Sequence, residues 1–103
     1  MSSFQKVASI SEIPSGGRKA VIFDGRSVLL VRVGDDFFAV EDVCSHDGQP
    51  LTDGPLHGKS IECPRHGARF DLKTGRPLCM PAVESIPVYE VLVQGEDVLL
   101  RPN

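Results

Sequence analysis

A chain of 103 residues, 41% apolar and carrying a net charge of −3, has room for one modest core and little affinity for a phosphate backbone, so two domains and a nucleic-acid partner are both excluded. Three cysteines are too few to staple a secreted disulfide domain, and the longest apolar runs, such as Val28–Val31, are far too short to cross a bilayer. The N-terminal residues show neither signal peptide nor anchor, so a cytoplasmic monomer with no membrane partner is expected.

Ten glycines and eight prolines point to many turns rather than long helices, and the apolar pattern is short and strand-like. Phe4–Ala8 reads as a first strand, and residues 11–17 (SEIPSGG) as a turn region. Lys19–Phe23 is a second strand closed by Asp24-Gly25. Ser27–Val33 and Phe37–Glu41 form a hairpin around Gly34-Asp35-Asp36. Short strands fit Ser60–Glu62 and Ala68–Leu72, the latter followed by a turn at Lys73-Thr74-Gly75. Val88–Val93 and Val98–Arg101 make a last hairpin around Gln94–Asp97. The ends are therefore β-framework. The middle, 43–81, holds all three cysteines, all three histidines and half of the ten glycines, and reads as a pair of loops that hold something.

That something is indicated by Cys44-Ser45-His46 and Cys63-Pro64-Arg65-His66, two pairs separated by sixteen residues. Each pair supplies one thiolate and one imidazole, and a glycine follows closely at Gly48 and at Gly67. Glycine lets the backbone turn tightly around a centre and leaves unhindered amides that can donate to sulfur. Such a set suits a two-iron cluster in which one iron takes both thiolates and the other both imidazoles. Zinc is the alternative, but its usual spacings, Cys-x₂₋₄-Cys with His-x₃₋₅-His, fit poorly. Charge explains why the mixed set matters. An oxidised [2Fe–2S] core of formal charge +2 becomes neutral with two thiolates and a dianion with four. Electron uptake by the neutral site is easier, which places mixed-ligand potentials at about −150 to +300 mV against roughly −400 mV.

Cys44-Ser45-His46-Asp47-Gly48 and the run Cys63–Asp71 resemble the two boxes of the Rieske family, and the likeness extends over essentially the whole chain. The resemblance implies an all-β, antiparallel fold, a sandwich or barrel-like framework in a single domain 1–103 with a small cluster-binding subdomain at about 43–81. It also implies one Rieske [2Fe–2S] cluster on Cys44, His46, Cys63 and His66, with the ligand histidines at an exposed tip. High-potential relatives carry an extra cysteine in each box and form a disulfide. The matching positions here are Gln49 and Arg65, so none can form. Those relatives also place serine and tyrosine hydroxyls near sulfur, where this chain has Ala68 and Phe70. Fewer donors to sulfur means less stabilisation of the reduced cluster, hence a potential at the low end of the range.

With no anchor visible, the sequence resembles the ferredoxin components of bacterial aromatic-ring dioxygenase systems. That implies a flavin-containing NAD(P)H reductase as donor and the Rieske centre of a terminal oxygenase as acceptor, with an acidic surface steering weak docking. The same domain also suits a fixed accessory subunit, resembling the small subunit of an assimilatory nitrite reductase, or a redox-sensing or cluster-assembly-associated protein. The chain is not itself an enzyme. A mononuclear oxygenase iron needs two histidines and a carboxylate, and His57 alone remains after the cluster takes two. No Gly-x-Gly-x-x-Gly nucleotide loop is present. Among the other residues, Cys79 reads as a small packing residue and His57 as a solvated loop histidine. Asp47, Asp53 and Asp71 read as turn formers, Pro50, Leu51 and Pro64 as a shield over the cluster, and the charges along 84–97 as a solvated face.

Overall fold

The computed structural model describes residues 3–45, 48–65, 67–80 and 84–102. Among the described residues ten strands alternate with short turns, and no helix is long and apolar enough to cross a membrane. Six strands make the larger sheet: β1 (Gln5–Ser9), β2 (Arg18–Phe23), β3 (Arg26–Val33), β4 (Asp36–Glu41), β9 (Val88–Gln94) and β10 (Asp97–Pro102). Their order is β1-β10-β9-β4-β3-β2, every neighbour antiparallel. Ala8 of one edge strand and Phe23 of the other enter the same buried cluster, so the sheet curls toward a barrel. Four short strands make the second sheet in sequence order: β5 (Leu56–His57), β6 (Ser60–Glu62), β7 (Arg69–Asp71) and β8 (Pro77–Cys79).

The expected strands are all present, with ends displaced by at most one residue. The hairpin loops tighten, since Val33 pairs with Asp36 and Gln94 with Asp97, leaving two residues in each turn. Three elements were not foreseen: β5, β8 and a single 3₁₀ turn at Ile10–Glu12 inside the expected turn region. The turn is closed by the Ser9 amide donating to Glu12 Oε1 at 2.7 Å, and it delivers the fully buried Ile13 into the barrel.

β3 explains how the two sheets share one molecule. Its run Val28–Val31 is buried on both faces, unlike a strand with one wet side. Val28 and Leu30 point into the barrel core with Ile13, Val98 and Leu100. Leu29 and Val31, joined by Val40 of β4, point the other way, into a cluster with Ile61, Phe70 and Leu72 of the small-sheet region. Each such side chain, fully buried, contributes about 1.5–3 kcal/mol before entropy is counted. The small sheet therefore rests on the outer face of β3 and β4.

Candidate metal centre

Each box follows a strand. Cys44 lies three residues beyond the end of β4, and Cys63 directly follows β6. Their local hydrogen bonds repeat. In the first box the Cys44 amide donates to the Gln49 carbonyl at 2.8 Å and the Gly48 amide to the Cys44 carbonyl at 2.7 Å. In the second the Cys63 amide donates to the Ala68 carbonyl at 2.6 Å and the Gly67 amide to the Cys63 carbonyl at 3.1 Å. Both loops thus close from the cysteine to the fourth and fifth residues after it. Both closing glycines sit in the left-handed region, at φ 74° and 75°, which a side chain would disfavour.

These paired loops bring Cys44 and Cys63, distant in sequence, into one buried cluster with Leu51, Ala68, Phe70 and Leu72. Both are fully buried thiols, with no disulfide between them. A pair of soft donors in a dry apolar pocket fits an iron–sulfur centre, whose ligands are deprotonated thiolates shielded from water. His46 and His66, the expected imidazole donors, lie outside the described residues, as does Asp47.

The loop between the boxes is held by residues that sequence reasoning missed. Asp42 Oδ1 accepts the Leu51 amide at 2.7 Å, and its Oδ2 accepts the Thr52 hydroxyl. From the barrel side, Arg18 Nη1 donates to the Thr52 carbonyl at 2.9 Å and to the Gly54 carbonyl. Asx-type side chains that gather loop amides are common in turns, and an Asp just after a strand was the available signal. The first box is tied across to the later loop by Ser45 Oγ, which donates to the Glu84 carbonyl at 2.6 Å.

The remaining expectations divide. Leu51 is fully buried beside both cysteines, as a shield requires, whereas Pro50 and Pro64 are exposed. Asp71 is a turn former, its Oδ2 accepting the Thr74 amide at 3.0 Å and the Thr74 hydroxyl at 2.7 Å. Ala68 and Phe70 are fully buried in the cysteine cluster. Cys79 corrects the packing reading: it is exposed on β8, and its thiol meets the Gly67 carbonyl at 3.4 Å. His57 is exposed as expected, but on a strand rather than in a loop, with Nε2 2.7 Å from Glu62 Oε1. Within the stretch 84–97, Glu90 pairs with Arg101 and Asp97 with Lys6.

A family model for the Rieske [2Fe–2S] domain matches residues 3–90. The ferredoxin component of a naphthalene 1,2-dioxygenase system from Pseudomonas aeruginosa is 37% identical over 92 residues, covering 89% of this chain and 88% of its own. Among solved structures, the ferredoxin of carbazole 1,9a-dioxygenase from Nocardioides aromaticivorans IC177 superposes with a TM-score of 0.92 at 36% identity, covering 98% of this chain and 99% of that one. A complex of reduced oxygenase and oxidised ferredoxin in carbazole 1,9a-dioxygenase contains a chain that matches with a TM-score of 0.87 at 37% identity, covering 94% and 91% respectively.

Proposed function

Because the chain belongs to the Rieske [2Fe–2S] domain family, we propose that it is a one-electron carrier whose cluster is held by Cys44, His46, Cys63 and His66. The observation that carries the ligand set is the repeated loop form, which puts two thiols in one dry pocket. When bound, the cluster supplies a store for a single electron. The protein's part is scaffolding. Leu51, Phe70 and Leu72 exclude water from the sulfur side, and the two box loops fix the cysteines. The whole chain acts as one domain, with residues 43–81 as the part that binds the cluster.

The donor on this reading is a flavin-containing NAD(P)H reductase and the acceptor the Rieske centre of a terminal oxygenase that attacks an aromatic ring. Relatives named as ferredoxin components of dioxygenase systems support this, as does the ferredoxin–oxygenase complex among the structural matches. The carrier works as a cytoplasmic monomer. Leu78 and Met80, both exposed, flank the Cys79 thiol that touches the second box, and they offer an apolar contact for a partner reaching the cluster. Small contacts of this sort permit rapid exchange between donor and acceptor.

Reconstitution tests the reading. Purified chain added to a reductase and a ring-hydroxylating oxygenase should restore NAD(P)H-dependent product formation, more slowly as salt is raised. Iron and acid-labile sulfide should each be present at about two per chain. Zinc in their place, or full product formation without the chain, refutes it.

A further inference from the structure

The small sheet has two unlike faces. Leu56, Ile61 and Phe70 pair across it on the side that packs against the cysteine cluster. The opposite side carries His57, Glu62 and Arg69, with Glu62 directly across from Arg69. Glu62 is the hub of this group. Its Oε1 lies 2.7 Å from His57 Nε2 and 3.4 Å from Arg69 Nε. Its Oε2 turns toward the second box, 3.8 Å from where a side chain on Gly67 would begin. The Glu62 side chain is only 25% exposed, so water screens it incompletely, and apolar Ile61 and Phe70 lie just behind it. Glu62 also immediately precedes Cys63 in the chain.

We propose that the Glu62 carboxylate, clamped between His57 and Arg69 against the Cys63–Gly67 loop, sets the reduction potential of the cluster. A fixed negative charge beside the loop that carries two ligands opposes electron uptake, and Arg69 opposes Glu62 in turn. The pair would act from the face of the small sheet away from the apolar pocket. It acts in the same direction as the missing hydroxyls at Ala68 and Phe70 but is independent of them. The inference rests on Cys63 and His66 being ligands.

The experiment is a redox titration of the purified holoprotein, followed by visible absorbance and by electron paramagnetic resonance. Glu62→Gln should raise the potential, shifting the reduced-to-oxidised ratio by about threefold to tenfold, where tenfold is ~59 mV for one electron. Arg69→Gln should lower it by a comparable factor, the double variant should return close to the parent, and Glu62→Asp, which keeps the charge, should stay there. Single variants that move the potential in the same direction, or leave it unmoved with an intact spectrum, overturn the proposal alone. A parent protein that binds zinc overturns the ligand assignment with it. If Glu62→Gln does not take up cluster, the sign of the Arg69→Gln shift decides, and a rise or no shift overturns the proposal.

Discussion

Replacing Asp42 by alanine removes the clasp on the loop that covers the cysteines. Two bonds are lost: the Leu51 amide to Oδ1 at 2.7 Å, and the Thr52 hydroxyl to Oδ2. Leu51 is fully buried, so its amide is stranded, which costs about 1–3 kcal/mol. The half-buried hydroxyl can turn to water and adds about 0.5–1 kcal/mol. Arg18 still grips the Thr52 and Gly54 carbonyls from the other side, so the loop opens locally while the barrel stays folded. A net penalty of about 1.5–4 kcal/mol, at 1.36 kcal/mol per tenfold, makes opening more frequent by roughly one to three orders of magnitude. The assay is the decay of the cluster's visible absorbance in excess iron chelator at fixed temperature, where loss follows exposure of the cysteine pocket. Asp42→Asn, which keeps one oxygen acceptor, should fall between. Arg18→Ala should accelerate decay as well, and the double variant should fall short of the product of the singles, because one loop can be released only once. Acceleration below about threefold for Asp42→Ala would refute the clasp.

Three further outcomes follow from the same geometry. Ala68→Ser and Phe70→Tyr place hydroxyls inside the cysteine cluster and should raise the reduction potential on redox titration, and a fall would contradict hydrogen-bond control. Gly75→Ala should lower stability by at least about 2 kcal/mol in urea unfolding of the holoprotein, because the residue sits at φ 77° and the new methyl would run into the Ile86 carbonyl; an unchanged midpoint would show that the turn relaxes freely. Leu78→Glu with Met80→Glu should slow electron delivery to an oxygenase while leaving potential and spectrum unchanged, and an unaltered rate in stopped-flow mixing would remove β8 from the docking surface.

The framework strands were legible because period-two alternation and Gly-containing turns are local signals. Ser60–Glu62 has the same bounds in sequence and structure. β5 escaped because two residues carry too little pattern, and β8 because it opens on Pro77, which reads as a breaker and is tolerated here at a sheet edge. The two boxes announced their chemistry through residue type and spacing. Their shared loop form was only hinted at by the glycine four residues after each cysteine, because the bonds that close it run between backbone groups. Cys79 was misread because burial is a common habit of cysteine and only the position of β8 at the sheet edge exposes it. Asp42 and Arg18 were overlooked for a different reason: each reaches its loop across a gap in sequence, ten residues to Thr52 in one case and thirty-four in the other.

The doubly buried β3 ties the fate of the two halves together. Leu29, Val31 and Val40 turn outward from the barrel and are dry because side chains from the stretch between β4 and β9, among them Leu51, Ile61, Phe70, Leu72 and Ile86, pack over them. Excising that insertion and rejoining the chain would not yield a trimmed barrel but one with a bare apolar wall, prone to self-association. The half that bears the two buried cysteines is thus also the roof of the half that supports it, and neither can be transplanted without supplying the other's missing surface.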